Sequence, residues 1–252
     1  NSLRLIGMGG SILGTKAIYS FLNHKIKKKI YFYDNLLPNI KKEKKQNFLN
    51  LVISKSGNTL ETISNANNII KKNQKNIFLT DKGNNYLRTL ATKLKAEVVD
   101  HNNFIGGRYS VLSEVGMLPS SLVGLSSKKF KQFNNLVKKK NFINSLIYNV
   151  SNILFYVKKK KNNSIILNYD ENSEDLFKWY QQLIGESLGK KKKGIFPFIS
   201  TMPKDNHSLL QLYLDGPQKN FFTFFGVKER KSNKIINNSI LDTFSFIKNK
   251  KF

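Results

Sequence analysis

The sequence predicts an α/β protein with two doubly wound parallel-sheet domains, the second of them incomplete in this chain. Through the first hundred residues, apolar strand-like runs alternate with amphipathic helical patterns. Strands separated by helices of this length pair in parallel through right-handed crossovers, so the alternation predicts an open sheet with helices on both faces. After Val111 the pattern becomes mostly helical, and strand signals return from Ser164 onward. That return predicts a second α/β unit, entered through helices.

The first unit contains five predicted strands and four predicted helices. The strands are LRLIGMG (3–9), KIYFYD (29–34), LNLVIS (49–54), NIFLTD (76–81) and AEVVD (96–100). The helices between them, read from apolar residues at helical spacing, are Ser11–Leu22, Lys41–Phe48, Thr59–Lys72 and Tyr86–Leu94. Ligands of such sheets collect beyond the carboxyl ends of the strands, so the loops after the first and third strands are candidate sites.

The second unit opens with a long helix, because one apolar stripe runs from Phe142 to Val157 at helical spacing. Its predicted strands are SIILNY (164–169), FPFIS (196–200) and NFFTFFGV (220–227). We place the domains at residues 1–115 and 116–252, with the boundary near residues 111 to 130. Because the chain starts without an initiator methionine and ends without an obvious terminal element, we expect it to be part of a longer protein.

The composition excludes several kinds of site. The chain has no cysteine and only three histidines, which excludes disulfides and thiolate metal sites and leaves little for a His-rich one. The stretch from Phe142 to Val157 is interrupted by five asparagine and serine residues, so it predicts a buried helix rather than a membrane span. Nothing resembles a signal peptide, and we therefore expect a cytoplasmic protein.

The net charge of +27 would ordinarily suggest a nucleic-acid binder. Only four of the 43 basic residues are arginine, however, and arginine is the usual bidentate reader of phosphate and guanine. The chain also lacks an aromatic-interleaved basic patch. We therefore predict a solvated lysine surface and no nucleic-acid partner, although the positive field would favour an anionic substrate.

Two glycine-containing loops follow strands and precede helices. The first, IGMGGSILG, contains Gly7 and Gly9 and is followed by Asp34 at the end of the next strand, which together favour a dinucleotide site. That pattern fails at Ile12, where the third glycine belongs. The second loop, SKSGNTLET, presents backbone N–H groups and hydroxyl groups at a helix start, as an anion site requires. An ordinary helix start, with Asn58 as its N-cap, is the alternative for this second loop.

Three further features suggest proton-transfer chemistry. Gln182 and Glu186 lie one turn apart on an amphipathic helix that ends at Gly189 and four lysines. His207 follows a turn and precedes an apolar run, which places it at a loop-to-helix junction. The segment FIGGRYSVLSEVG presents Arg108, one of the four arginines, beside two glycines. A carboxylate, an imidazole and a fixed cation are the groups that general acid–base catalysis uses.

These motifs closely resemble those of the phosphoglucose isomerase family. The ESLGK sequence around Glu186 and the HSLLQLYLDGP sequence from His207 occur in the family's order, after the SKSGNTLET loop. The resemblance implies two sugar isomerase (SIS) domains and the interconversion of glucose 6-phosphate and fructose 6-phosphate. It implies no cofactor and no metal, and a homodimer in which His207 reaches the site of the neighbouring subunit. No residue of this chain matches the lysine that the family uses in ring opening.

The resemblance also implies a role for each matching residue. Glu186 would move the proton between C1 and C2, His207 would assist ring opening, and Arg108 would stabilise the cis-enediolate. The remaining residues would bind the sugar phosphate: Gly10 and Ser11, the loop residues Ser54, Lys55, Ser56 and Thr59, and Gln182, which would bind substrate or orient Glu186. A noncatalytic sugar-phosphate sensor with the same fold is the rival function, but it would have no need of Glu186 and His207 in intact motifs.

Overall fold

The computed structural model describes residues 2–36 and 47–228, which form two parallel β-sheets. The five strands of the first sheet are β1 (Ser2–Gly7), β2 (Ile30–Tyr33), β3 (Phe48–Ile53), β4 (Lys75–Thr80) and β5 (Glu97–Asp100). They lie in the order β2-β1-β3-β4-β5, and each neighbouring pair is parallel. The order reverses between β1 and β3, where Gly7 is in register with Ile53. A crevice therefore opens beyond these two strand ends, at the topological switch point.

Four helices cover the first sheet: α1 (Leu13–Phe21), α2 (Leu60–Ile69), α3 (Tyr86–Leu94) and α4 (Glu114–Leu122). Alternate strand residues face opposite layers. On one side, the core of fully buried strand residues such as Leu5 and Leu51 is completed by Val115 and Val123. The other core combines strand residues such as Val52 and Phe78 with apolar residues of α2 and α3. Because both faces are covered, the strands appear in the sequence as mostly apolar runs, interrupted by buried polar residues such as Arg4 and Asn50.

The second sheet contains β6 (Asn163–Asn168), β7 (Phe196–Thr201) and β8 (Asn220–Phe225), in the parallel order β7-β6-β8. The helices that accompany it are α5 (Ser127–Phe130), α6 (Phe133–Leu136), α7 (Lys140–Lys158), α8 (Glu174–Leu188) and α9 (Leu210–Asp215). Its described core is small, with Ile165, Leu167 and Met202 packed against Tyr213. No residue of α7 is buried, so the prediction of a buried helix at Phe142–Val157 is wrong for the described structure. Phe224 of β8 is also largely exposed.

Helix α8 joins the second unit to the first. It packs along α1, where Ser20 Oγ donates to Asp175 Oδ2 at 2.5 Å. The indole Nε1 of Trp179 donates to the carbonyl oxygen of Arg108 at 2.9 Å. These contacts hold the N-terminal half of α8 against α1 and against the loop that carries Arg108.

The structure confirms the predicted α/β class with parallel sheets. The eight predicted strands are present with small shifts at their ends, and α3 has the predicted bounds, Tyr86–Leu94. Ser11 lies in a 3-10 turn, Gly9–Ser11, and α1 begins only at Leu13. Most of the predicted helix Lys41–Phe48 lies outside the described residues, and its last residue begins β3 instead.

The division into domains 1–115 and 116–252 stays a prediction. The structure adds that α4, which contains the predicted boundary, packs against the core of the first sheet through Val115 and Val123. In residues 2–36 and 47–228, no helix has both the length and the apolar character needed to cross a membrane.

Candidate active site

The loops after β1 and β3 lie side by side at the switch point, and each depends on a glycine in the left-handed region. Gly9 has a φ of +52° and Gly57 has a φ of +66°. A side chain at Gly57 would also collide with Asn85, since an added Cβ would lie 2.0 Å from Asn85 Oδ1. Both turns therefore require glycine for backbone conformation, and the second requires it for space as well.

The N-terminus of α2 is left without a side-chain cap. Its N-cap residue is Thr59, and not Asn58 as the alternative interpretation of this loop required. The Asn58 amide oxygen instead accepts the backbone N–H of Tyr86 at 2.9 Å, and the Thr59 hydroxyl lies 2.9 Å from the Ser54 hydroxyl. The first-turn N–H groups of α2 therefore remain available to an anion, beside the hydroxyl groups of the loop.

The side chains of this loop differ in their surroundings. Ser54 is buried and Ser56 is exposed, with its hydroxyl oxygen 3.3 Å from the backbone nitrogen of Asn58. Lys55 turns away toward a neighbouring loop, where its Nζ donates to the carbonyl oxygens of Asn103 and Ile105 at 2.8 and 2.9 Å. Lys55 thus connects the loop after β3 to the loop that carries Arg108.

The Arg108 loop lies directly on the loop after β1. A Cβ added to Gly10 would lie 2.3 Å from the carbonyl carbon of Gly107 and 2.8 Å from the nitrogen of Arg108. The Ser110 hydroxyl lies within hydrogen-bonding distance of the carbonyl oxygens of Gly10 and Gly107, at 3.2 and 2.7 Å. The two backbones are therefore in contact, and Arg108 is held at the carboxyl end of β1.

This contact predicts a specific effect of Gly10→Ala. The added methyl group has no space against Gly107, so we expect a loss of about 1–3 kcal/mol in the free energy of unfolding. Gly106→Ala is the matched control, because Gly106 has a φ of −68° and its added Cβ would meet only an ordinary contact at 3.5 Å. Urea unfolding measures both variants. Equal losses in the two variants would contradict the close approach at Gly10.

Glu186 receives a hydrogen-bond donor on each carboxylate oxygen. Arg108 Nη1 donates to Oε2 at 3.3 Å, and Gln182 Nε2, one turn earlier on α8, donates to Oε1 at 2.8 Å. The Glu186 side chain is 49% exposed, whereas that of Arg108 is 21% exposed. The Oε1 atom of Gln182 is buried without a partner among the described residues. The other end of the amide lies close to Gly9, since a Cβ added to Gly9 would lie 3.1 Å from Gln182 Nε2. The carboxylate is thus oriented, yet it remains accessible from solvent.

Two residues that the sequence did not single out hold Arg108. Its Nε donates to Ser187 Oγ at 2.9 Å, and its guanidinium lies 4.5 Å from the centre of the Tyr109 ring. Tyr109 and Glu186 raise the pKa of Arg108 above its ordinary value, so the guanidinium stays charged at every physiological pH. A sequence signal for Ser187 was present: it adjoins Glu186, and the guanidinium of a site arginine needs more than one acceptor.

His207 lies apart from this group of contacts. It follows β7 and ends the 3-10 turn Lys204–Asn206, three residues before α9, as the predicted loop-to-helix junction requires. The residue is exposed, and no described residue forms a hydrogen bond or an ion pair with its ring. The structure therefore brings Gly10, Arg108, Gln182 and Glu186 together, with the Ser54–Thr59 loop at the adjacent strand end, but leaves His207 without a contact to them.

The structure argues against a dinucleotide site, because Asp34, the acidic residue that would hold the ribose, is already paired. The Asp34 carboxylate forms an ion pair with Lys16 of α1, with Nζ and Oδ2 2.5 Å apart. A ribose at this strand end would have to compete with that lysine. In the described part of the chain, no three His, Asp or Glu residues lie close enough together to hold a metal ion.

Comparison with known sequences gives consistent matches. A family profile described as phosphoglucose isomerase matches residues 2–201. The glucose-6-phosphate isomerase of Methanocaldococcus jannaschii is 38% identical over an alignment of 256 positions, gaps included. The alignment covers 92% of this chain and 61% of that protein. The glucose-6-phosphate isomerase of Campylobacter jejuni is 30% identical, with 92% and 62% covered. The chain thus spans about three fifths of the length of these relatives.

Solved structures agree on the fold. A hypothetical protein from Thermus thermophilus superposes with a TM-score of 0.83 at 24% identity, covering 100% of this chain and 66% of that one. A glucose-6-phosphate isomerase from Chlamydia trachomatis superposes with a TM-score of 0.68 at 21% identity, covering 88% and 49%. At these identities the likeness establishes the architecture alone.

Proposed function

The chain belongs to the phosphoglucose isomerase family, and on that premise we propose that the protein interconverts glucose 6-phosphate and fructose 6-phosphate. The proposal concerns the whole protein, since the chain spans about three fifths of its relatives. The observation that carries it is the environment of Glu186, whose two carboxylate oxygens are fixed by Arg108 and Gln182 at the edge of the first sheet. A carboxylate held in this way suits the transfer of one proton between adjacent carbons.

In the proposed reaction, Glu186 removes the proton from C2 of the open-chain aldose and returns it to C1. The intermediate is a cis-enediolate, whose negative charge develops on oxygen. Arg108 lies 3.3 Å from Glu186 and stays charged, so its guanidinium is placed to stabilise that oxygen. Gln182 orients the carboxylate through its Nε2, which donates to Glu186 Oε1. Gly10 and Ser11 line the sugar on the side of β1.

The phosphate of the substrate binds the loop after β3. The uncapped N-terminus of α2 supplies N–H groups and the positive end of the helix dipole. The hydroxyl groups of Ser54, Ser56 and Thr59 add donors. Lys55 contributes through its backbone, because its ammonium group is already bound to two carbonyl oxygens.

The phosphate assignment predicts a ligand-specific loss in the double variant Ser56→Ala/Thr59→Ala. Two hydroxyl donors disappear while the proton-transfer residues stay, so binding of fructose 6-phosphate should weaken by 10-fold or more, on the order of two lost charge-assisted hydrogen bonds. Binding of unphosphorylated fructose, already weak, should hardly change. Isothermal titration calorimetry measures both ligands, and Thr92→Ala on the exposed side of α3 is the control variant. Equal losses for both sugars would contradict a phosphate role.

His207 assists ring opening from across a subunit interface. An exposed ring without a partner among the described residues is consistent with service to a second copy of the chain. We therefore include a homodimer with shared sites in the proposal, together with a cytoplasmic location and sugar phosphates as the sole ligands. The exposed apolar residues of α7 and β8 offer apolar surface for such an assembly.

The isomerase proposal is tested by supplying glucose 6-phosphate to the purified protein in deuterium oxide. Fructose 6-phosphate should form, and it should carry deuterium at C1, because a proton held by a carboxylate exchanges with solvent before its return. Mass spectrometry of the product measures both results. A protein that binds the sugar phosphate but produces no ketose would instead act as a sensor.

A further inference from the structure

A side-chain contact between His101 and Glu114 closes the two ends of the loop that carries Arg108. His101 directly follows β5 and is 2% exposed, and Glu114 begins α4. The ring Nδ1 of His101 is in close contact with Glu114 Oε1, which also accepts the backbone N–H of Asn102 at 2.9 Å. The segment from His101 to Glu114 therefore begins and ends at one side-chain contact. Neither residue touches Glu186.

The other face of the His101 ring is also bound. Its Nε2 lies 3.2 Å from the carbonyl oxygen of Ile105, inside the same loop. That carbonyl oxygen accepts Lys55 Nζ at 2.9 Å, and Lys55 belongs to the loop proposed to bind phosphate. His101 and Lys55 thus meet at one acceptor, and the pair connects α4, the Arg108 loop and the loop after β3.

Polar partners face both sides of the His101 ring. One ring nitrogen faces a carboxylate oxygen of Glu114, and the other faces the carbonyl oxygen of Ile105. The charged groups that face the ring are Glu114, in direct contact, and Lys55, through the carbonyl oxygen of Ile105.

Glu114 accepts these hydrogen bonds as a carboxylate. Burial alone would raise its pKa, but the hydrogen bonds from the Asn102 N–H and from His101 outweigh burial and lower the pKa below its ordinary value. The group therefore remains charged at neutral pH, and hydrogen bonds to a charged acceptor are stronger than those to a neutral one.

We propose that His101, Glu114 and Lys55 form a clasp that positions Arg108 for the reaction. The proposal rests on the proposed function, because it takes Arg108 as the group that stabilises the enediolate. The clasp acts through the loop backbone, which is fixed at His101, at Ile105 and at Glu114 and presents Arg108 between them. None of its three members contacts the reacting atoms, so they are positioning residues.

A tryptophan bound to the Arg108 backbone reports on the position of Arg108. Trp179 is the only tryptophan, and its Nε1 donates to the carbonyl oxygen of Arg108 at 2.9 Å. Displacement of the Arg108 backbone breaks or lengthens that bond and changes the polarity around the indole. The fluorescence emission of the protein therefore reports on the loop without any need for catalysis.

The test uses His101→Asn and Glu114→Gln, with His24→Asn as the matched control on an exposed turn. Asparagine at position 101 retains a donor in the place of Nδ1 but cannot reach Ile105. Glutamine at position 114 removes the negative charge of the Glu114 carboxylate. Each clasp variant should shift the Trp179 emission and lower kcat by 10-fold or more, with KM changed less than twofold. The control should leave emission and kcat unchanged. Unchanged emission in both clasp variants would overturn the proposal.

A double-mutant cycle separates positioning from general destabilisation. If the clasp acts through Arg108, His101→Asn should cost little further activity in an Arg108→Ala background, because the group that it positions is gone. The same fold-loss in both backgrounds would show that His101 acts independently of Arg108 and would contradict the proposal.

The hydrogen bonding of the His101 ring can be observed directly in the unaltered protein. Nitrogen-15 NMR should show a ring N–H of His101 that is protected from exchange with solvent, and a ring without a protected N–H would overturn the clasp even if the variants failed to fold. This measurement and the fluorescence need no turnover. A protein without isomerase activity would disprove the proposed function, while its NMR spectrum would still decide whether the clasp is formed.

Discussion

Replacement of Glu186 by glutamine is expected to abolish turnover while leaving sugar-phosphate binding nearly intact. The amide has the size of the carboxylate and can still accept a hydrogen bond from Arg108 or Gln182, so the pocket should keep its shape. It cannot take a proton from carbon and return it. We expect kcat to fall by about three orders of magnitude or more, while the dissociation constant of fructose 6-phosphate changes only a few-fold.

The measurement combines a coupled assay of ketose formation with calorimetry on the same preparation. Glu174→Gln is the matched control, since Glu174 lies on the same helix at its opposite end and, among the described residues, forms an ion pair with Lys178 alone. This variant should retain full activity. Near-normal turnover of the Glu186→Gln variant would show that Glu186 does not transfer the proton and that another group does.

The fold could be predicted because its sheet strands and helices carry different periodicities. β1 and β3 are buried on both faces, which leaves short, mostly apolar runs such as LRLIG and LVI before glycine-containing turns. α3 has an asparagine cap whose side chain accepts the Arg88 N–H, and its ends were predicted correctly. The prediction of Asn58 as the cap of α2 was wrong, because Asn58 serves a second helix across the loop. Local spacing does not reveal which neighbouring helix end a side chain will reach.

The candidate site could be predicted only in part. Motifs identified Arg108 and Glu186 one at a time, but their contact joins residues 78 positions apart and depends on the packing of α8 against α1. The Lys55 side chain is directed toward two carbonyl groups of another loop, which no local pattern could indicate. The roles of the site residues, the domain boundary and the dimer stay predictions until they are measured.

The second large effect is expected from mixing two defective variants. If His207 completes the site of a neighbouring subunit, Glu186→Gln and His207→Ala homodimers are each defective at every site. A mixed dimer gathers both lesions into one site and leaves the other intact. Equal mixing with full subunit exchange should therefore restore about one quarter of the wild-type sites, because half of the dimers are mixed and each contains one intact site.

Recovery of activity distinguishes a site shared between two chains from a site within one chain. The position of His207 alone does not separate these two arrangements. Its ring is exposed and has no hydrogen-bond partner among the described residues, as either a shared site or a movable loop would require. Activity is followed in the coupled assay after exchange, and native mass spectrometry of one isotope-labelled variant measures the mixed dimers. Recovery in proportion to the mixed species would establish that each site takes Glu186 from one chain and His207 from the other. Confirmed exchange without recovery would place His207 in the site of its own chain, reached by movement of the loop after β7.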